Sequence, residues 1–388
     1  MLLKQGNRIV YDSSRCTRCG TCLAVCKSGA LRLEEGEDVF GIVVNHEACV
    51  GCQKCVRVCP ASDLPEHRME ESDFITLRRA FLAHATDADL RYKSTSGGVA
   101  RTLARAALET GWVDAVYCVV QKNDPPYAEG AFLTSSADLD RISNSVYCAL
   151  PVNENLRKEI NGKPLSRLLY IGTNCQIQAA ERLYKGSGVE LIKVAIICKQ
   201  QKTRAYVRWS RRMMKQSPRD ETPIRYRGNG WPGQITSGQG SYKNFFRPFA
   251  MQLWRVPGCR FCPNAFGWGS DILLADPWNL ISINSSNPGL TMTLLRTDTA
   301  LALWKVAAPY LTEERELTAA EVRKSIEWEG YKKNKQGKIP FYLGNEPSLI
   351  RRLGYGLLEK QRTFYEWLFD VLAVPEVVEK ILNRTLKK

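Results

Sequence analysis

Histidine is scarce in this chain: the 388 residues hold only three, His46, His67 and His84. All three lie before residue 85, so the rest of the chain has no imidazole for acid–base work or metal ligation. Long apolar runs are also missing. No stretch approaches the roughly 18 uninterrupted apolar residues of a membrane span, so an integral membrane protein is not expected. Met1-Leu2-Leu3-Lys4-Gln5-Gly6 lacks the apolar run of a signal peptide, and the expected location is cytoplasmic. No Gly-x-Gly-x-x-Gly fingerprint appears, which disfavours direct use of NAD(P)H. Acidic residues are outnumbered, 40 against 55 Lys and Arg, for a net charge of +15. No helix-turn-helix, zinc-finger or RNA-binding signature accompanies that charge, so nucleic acid is not an expected partner. Ordinary solvation accounts for such a surface. So does a basic face that steers an acidic electron carrier, a ferredoxin or a flavodoxin. The densest basic run, Arg204, Arg208, Arg211, Arg212 and Lys215, has the spacing of one helical face.

Cysteine is what the chain has in plenty, with fourteen. Disulfide frameworks belong to short secreted chains, so clustered cysteines here point to metal. Cys16-x2-Cys19-x2-Cys22-x3-Cys26 is followed by Cys49-x2-Cys52-x2-Cys55-x3-Cys59-Pro60. This is the spacing of bacterial two-cluster ferredoxins. Two intervening residues let a tight loop wrap a cubane and present three thiolates to three irons. The fourth cysteine serves the other cluster. One 4Fe–4S set is therefore Cys16, Cys19, Cys22 and Cys59, and the other Cys49, Cys52, Cys55 and Cys26. Zinc sites would not need the trailing x3-Cys in both halves. Between the halves, Ala30–Leu33 and Val39–Val44 flank Glu34-Glu35-Gly36-Glu37-Asp38 and read as a hairpin.

The expected organisation is an α+β ferredoxin-like two-cluster module over residues 1–66, an α/β domain with a mostly parallel sheet over 74–300, and a helical region over 301–388. A polar linker, Asp63-Leu64-Pro65-Glu66-His67, separates the first two. In the second, Ser94 to Gly98 precedes a helical pattern from Val99 to Leu108, and Val113 to Val120 reads as a buried strand. A βαβ unit follows: strand Leu168–Ile171, helix Gln176–Tyr184, strand Glu190–Ile197. Parallel strands joined by a crossover end on one sheet edge, so Cys175 and Cys198 should face the same crevice. Cys259-Arg260-Phe261-Cys262 adds a metal-type pair, for which zinc or a redox disulfide are alternatives. With eight cysteines in the first module, Cys175, Cys198, Cys259 and Cys262 make one further set of four, a third 4Fe–4S site. Cys118 and Cys148 remain as packing residues. Beyond residue 300, Leu301–Val306 and Trp367–Leu372 carry the apolar faces of helices and Arg384 to Lys388 a basic end, read as packing helices with a membrane-surface helix as the alternative.

Ile171-Gly172-Thr173-Asn174-Cys175-Gln176-Ile177 is similar to the Gly-Thr-Pro-Cys-Gln segment found in the family of deazaflavin-coenzyme (F420) hydrogenase/dehydrogenase beta subunits. Ser96-Gly97-Gly98, Asn144-Ser145-Val146-Tyr147, Arg227 to Gly233, and Cys259-x2-Cys262 leading to Ala275-Asp276 resemble further landmarks of that family, in its order. The chain departs from them at Asn174, at Lys199-Gln200 and at Ala275. The resemblance implies FAD beside a core iron–sulfur cluster. Thr95, Ser96, Gly97, Gly98, Thr173, Asn174, Asn229 and Gly230 are the expected flavin contacts, and Lys199 and Asp276 the candidate proton donors. The expected activity is an FAD- and 4Fe–4S-dependent reductase that moves electrons from a low-potential carrier to a small organic substrate. Two rival readings are a reduced-deazaflavin dehydrogenase subunit exporting electrons and a non-catalytic electron-transfer subunit. Oligomerisation stays open.

Overall fold

A computed structural model describes residues 1–6, 8–62, 77–122, 127–160, 162–283 and 287–371. The expected linker at Asp63–His67 and the basic end at Arg384–Lys388 lie outside the described residues.

The first module is built of two short hairpins and two short helices. Strands β1 (Leu2–Gln5) and β2 (Arg8–Tyr11) pair antiparallel. Helix α1 (Thr21–Val25) follows the first cysteine loop. Strands β3 (Leu31–Glu34) and β4 (Gly41–Val44) form the hairpin read from the sequence, and α2 (Lys54–Arg57) follows the second cysteine loop. Leu2, Ile9, Leu31 and Ile42 make its small core.

The second region is one eight-stranded sheet with helices on both faces. In chain order its elements are β5 (Arg79–Ala85), α3 (Val99–Glu109), β6 (Ala115–Gln121), β7 (Ala128–Leu133), β8 (Arg167–Thr173), α4 (Asn174–Tyr184), β9 (Glu190–Ile196), α5 (Arg204–Met213), β10 (Ile272–Ala275), β11 (Thr291–Leu295), α6 (Asp298–Ala307) and β12 (Leu311–Glu316). The strand order is β12-β5-β11-β10-β9-β8-β6-β7. The central strands β6, β8, β9 and β10 run parallel, and antiparallel strands extend both edges.

The run Leu168-Leu169-Tyr170-Ile171 shows why this sheet is covered twice. All four residues are buried, and they alternate between two cores. Leu169 and Ile171 join Leu103, Ala107, Leu303 and Trp304 of α3 and α6. Leu168 and Tyr170 join Ile177 and Ala180 of α4, with Trp328 and Tyr331 from the later chain. Burying such a side chain contributes about 1.5–3 kcal/mol.

Two features differ from the sequence reading. Leu311–Glu316, inside the region expected to be helical, is an edge strand paired with β5. Only Leu311 of the six is buried, so no apolar alternation marks it. Arg79 instead reaches Glu313 and Glu316, both at 2.7 Å, and His84 reaches Glu314 at 2.9 Å.

The basic run on α5 also turns out to serve the molecule's own interior. The Arg204 backbone N–H donates to the Asp38 carbonyl (2.7 Å), and its guanidinium reaches Gly36 O and Glu35. Arg208 pairs with Asp38 at 2.5 Å. Arg211 is buried and donates to Ser237 and the Thr222 carbonyl, and Arg212 donates to the Asp370 carbonyl. The acidic partner of this helix is thus the turn of the β3–β4 hairpin. Half-exposed pairs of this kind contribute about 0.2–1 kcal/mol each and fix orientation more than stability.

The last long helix, α7 (Leu349–Val371), packs Phe369 against Trp209 and Trp254.

Candidate metal centres

Cys16, Cys19, Cys22 and Cys59 line one cavity, with Tyr11, Arg18, Leu2, Phe40 and Ile42 completing its wall. The sequence halves thus cross, as the two-cluster spacing requires. Burial pushes the Cys19 thiol up to about 11, and the neighbouring Cys59 adds to it. Burial, then Cys19, Cys16, Cys59 and Cys55, holds Cys22 well above the usual thiol range. Cys16 is the exception: burial raises it, but the N-terminal ammonium, Arg18 and the Tyr11 hydroxyl bring it below the usual value. Arg18 N–H and Thr21 Oγ1 donate to the Cys16 and Cys19 sulfurs, both at 3.4 Å.

The second set lies nearer solvent. Cys26, Cys49 and Cys55 pack partly buried against the Leu2–Ile9–Leu31–Ile42 core, while Cys52 is exposed. Burial, opposed by the Val56 N–H, pushes Cys55 up to about 11, and Cys26 and Cys52 add to the rise.

The third set comes from three segments. Cys175 stands in the first turn of α4, where Thr173 N–H donates to Gln176 Oε1 (2.9 Å) and fixes the strand-to-helix turn. Cys198 follows β9, its N–H donating to Ala265 O at 3.1 Å. Cys259 sits on a short 3-10 turn, Pro257–Arg260, and its sulfur accepts from Gln201 N–H at 3.4 Å. Burial, then Cys262, Cys198 and Cys259, raises Cys175 well above the usual range. Burial, with Cys259 next, pushes Cys198 up to about 12. The four sulfurs are close enough to act on one another. Among the described residues no three His, Cys, Asp or Glu converge tightly enough to hold a single metal ion. A cubane, whose four thiolates bind four different irons, asks for no such convergence. An all-thiol donor set with backbone N–H groups at sulfur fits a 4Fe–4S cluster at each of the three places.

Sequence reasoning missed the groups that join these sets. Asn153, fully buried, accepts from the Tyr170 hydroxyl and donates to Thr21 Oγ1 (2.8 Å) and Gln176 O (2.9 Å). Its backbone N–H donates to Cys19 O at 2.8 Å. One side chain therefore ties the Cys19–Cys22 loop to the turn that carries Cys175. Gly258 makes a second tie: a Cβ there would lie 2.3 Å from the Cys16 carbonyl oxygen, so only glycine lets the two cysteine loops touch. Tyr331 and Lys335 cover the third set from the region beyond residue 300. The Tyr331 hydroxyl donates to Pro263 O, and Lys335 donates to Lys199 O. Lys335 draws Cys198 and Cys259 down against the rise from burial. Lys202 is fully buried, with its Nζ donating to Pro248 O and Leu253 O. No local motif marks any of these residues.

The Thr95–Gly98 turn, expected to contact a flavin, makes these hydrogen bonds within the protein. Gly97 N–H donates to Thr291 Oγ1 (2.8 Å), Ser96 Oγ donates to Leu290 O, and Thr95 Oγ1 accepts from Ser145 N–H (3.0 Å). A Cβ at Gly97 would lie 2.7 Å from Ala83 O, so the glycine serves strand–turn packing. Gly98 caps α3 with φ 82°. Gly230 N–H donates to Tyr92 O, and the neighbouring Asn229 is exposed. Thr173 Oγ1 lies 3.5 Å from the Cys175 sulfur, and Asn174 Nδ2 donates to Asn264 O at 3.5 Å. Asp276 is held by Arg227 (2.6 and 3.1 Å) and Trp231 Nε1 (2.8 Å), and Lys199 by Glu327 (2.6 Å).

Residues 80–157 and 165–319 match the models described as coenzyme F420 hydrogenase/dehydrogenase, beta subunit N-term and C terminus, and residues 15–62 match a 4Fe-4S dicluster domain. The chain is 25% identical over 198 residues to a subunit of the F(420)H(2) dehydrogenase of Methanosarcina mazei, a match covering 49% of this chain and 54% of that protein. It is 27% identical over 176 residues to the coenzyme F420-dependent sulfite reductase of Methanocaldococcus jannaschii, covering 45% of this chain and 26% of the relative. Ferredoxin-3 of a Nostoc species is 34% identical over 74 residues, 15% of this chain and 76% of that protein. The chain thus spans about half, and about a quarter, of the two F420 relatives' lengths. A chain of the F420-reducing [NiFe] hydrogenase complex from Methanosarcina barkeri shares the fold, with a TM-score of 0.50 and 17% identity over 67% of this chain and 93% of that one.

The expected FAD-dependent reductase does not stand. The similar proteins are F420 hydrogenase/dehydrogenase beta subunits and 4Fe–4S proteins, none of them named for FAD. With the two beta-subunit models together covering more than half of its residues, the chain belongs to the family of coenzyme F420 hydrogenase/dehydrogenase beta subunits.

Proposed function

We propose that this chain is an iron–sulfur electron-transfer subunit of an F420-type hydrogenase or dehydrogenase assembly, with two clusters in residues 1–66 and a third in residues 74–300. The deazaflavin coenzyme and a further redox subunit are the partners this reading assigns. A bound 4Fe–4S cluster supplies one-electron chemistry at a potential tuned by charge, hydrogen bonds and exposure. The chain's own residues do the rest. Cys52 leaves its set open to solvent, where a partner can approach. The set of Cys16, Cys19, Cys22 and Cys59 adjoins both others, with Cys22 beside Cys55 and the Cys16 carbonyl against Gly258, next to Cys259. Tyr331, packed on Phe266 and Trp328, lies beside Cys262 and Cys198, and Lys335 places positive charge beside Cys198 and Cys259.

The observation that carries the proposal is Asn153, which joins the Cys19 loop to the Cys175 turn through fully buried hydrogen bonds. Three unrelated metal sites would not need a fixed mutual position. Anaerobic, cluster-replete protein given a one-electron donor, reduced methyl viologen, should pass electrons on to a protein electron acceptor. The Cys52→Ala variant should still be reduced by the viologen but pass electrons on at least about tenfold more slowly, about 1.4 kcal/mol in barrier. Undiminished transfer by that variant, or no reduction of the cluster-replete chain at all, would refute the reading.

A further inference from the structure

We propose that the outward face of α7 seats on an anionic lipid surface, with the helix lying in the plane of the headgroups. Two opposite faces of this 23-residue helix do different things. The inward face carries all three of its acids. Glu359 accepts from the Tyr342 hydroxyl (2.8 Å) and pairs with Arg260 (3.6 Å), Glu366 accepts from Trp254 N–H (2.6 Å), and Asp370 accepts from Arg212. Phe369 is buried beside them. That face fixes the helix to the body of the protein.

The outward face is apolar where solvent would be expected. Ile350, Leu353, Leu357, Phe364 and Trp367 are 84, 62, 68, 54 and 56% exposed. Their spacing, i, i+3, i+7, i+14 and i+17, puts them on one stripe of a 3.6-residue helix. Half of the exposed large apolar side chains among the described residues lie on this helix. At about 1.5 Å per residue, α7 is roughly 35 Å long. Singly exposed leucines are ordinary, but a stripe of this length marks an interaction surface.

Charge decides what covers the stripe. Of the exposed charges on α7, Lys360 lies within the stripe and Arg351 and Arg352 lie off it near the helix start, and no acid of the helix faces outward to answer Lys360. A second copy of this helix packed antiparallel on the stripe would set Lys360, at the helix's midpoint, against its own image. An anionic lipid surface takes the Leu, Phe and Trp side chains into the acyl boundary and attracts the cations, and a lysine within the stripe can snorkel to the headgroups. The net charge of +15 acts in the same direction. None of the described helices is long and apolar enough to cross a membrane, so α7 would lie on the surface.

The test is co-sedimentation of the full chain with vesicles of phosphatidylcholine alone and of phosphatidylcholine with phosphatidylglycerol, with Trp fluorescence followed in parallel. Binding is expected to the anionic vesicles, with a blue shift of the Trp emission. L357Q and F364Q should each weaken binding about tenfold, the cost of losing one half-buried apolar side chain. K360E should weaken it about fivefold and reduce its salt dependence. These positions are exposed, so iron content and circular dichroism should not change. Equal binding to neutral vesicles, indifference to the three substitutions, or a shift to dimers in sedimentation without vesicle binding would each overturn the proposal.

Discussion

The first module and the sheet domain assemble thiols in opposite ways. In the module, eight cysteines fall within 44 consecutive positions, Cys16 to Cys59, and two short loops carry six of them. The local chain does most of the work, and its core is four apolar residues. In the sheet domain, Cys175, Cys198 and the Cys259–Cys262 pair converge only because β8, α4 and β9 place two chain ends on one edge. The first arrangement is encoded by spacing and the second by topology. A site of the first kind tolerates changes in distant packing, whereas a site of the second kind should fail when the scaffold shifts.

Asn153→Ala should give the largest break in that comparison. It removes two donors and one acceptor from a fully buried position, leaving Thr21, Gln176 and Tyr170 short of partners. At about 1–3 kcal/mol for an unsatisfied buried group, the total cost is roughly 3 kcal/mol or more. Differential scanning calorimetry should show the sheet domain's Tm falling by several degrees, since ~1 kcal/mol moves Tm by about 2–4 °C in a domain of this size. An unchanged Tm would mean that the bridge carries no weight. Gly258→Ala should come next. The added Cβ would meet the Cys16 carbonyl at 2.3 Å, so the loops must part, at about 1–3 kcal/mol for overpacking. Limited proteolysis should then cut the module from the sheet domain faster. Cleavage at the native rate would count against the contact.

Arg208→Ala should cost less, about 0.2–1 kcal/mol, because its pair with Asp38 is partly exposed. Its effect should fade in ~1 M salt, where the Debye length is about 3 Å; an effect that grew with salt would sink the ion-pair reading. The smallest effect is expected at Cys118. Burial pushes its thiol up to about 12, so at pH 8 only about one part in ten thousand is thiolate. Iodoacetamide should leave it unmodified in the native protein, and Cys118→Ala should cost no iron. Rapid alkylation, or lost iron, would remove it from the packing residues.

The same contrast explains how much could be read from sequence. The hairpin around Glu34–Asp38 and the βαβ unit follow from turn residues and apolar runs, which are local signals. The edge strand Leu311–Glu316 does not, because a polar edge strand lacks the alternation that marks a half-buried one. The α5 arginines read correctly as a basic helical face, but sequence could not show that their acids lie in the chain's own hairpin. Ser96-Gly97-Gly98 is ambiguous in sequence because small residues serve close backbone packing and ligand approach alike, and in the fold Gly97 packs against Ala83 and Thr291. Asn153 and Lys335 were invisible for the plainest reason: their partners are 17 to 136 positions away.

The central claim is that a topological site in the sheet domain holds a third cluster in line with the two of the module. Iron analysis of anaerobically reconstituted protein, paired with EPR of the reduced form, tests it most directly. The account predicts ~12 irons per chain, falling to ~8 in Cys175→Ala with the module's two-cluster signal intact, at four irons per cubane. A native value near ~8 that Cys175→Ala leaves unchanged would contradict it.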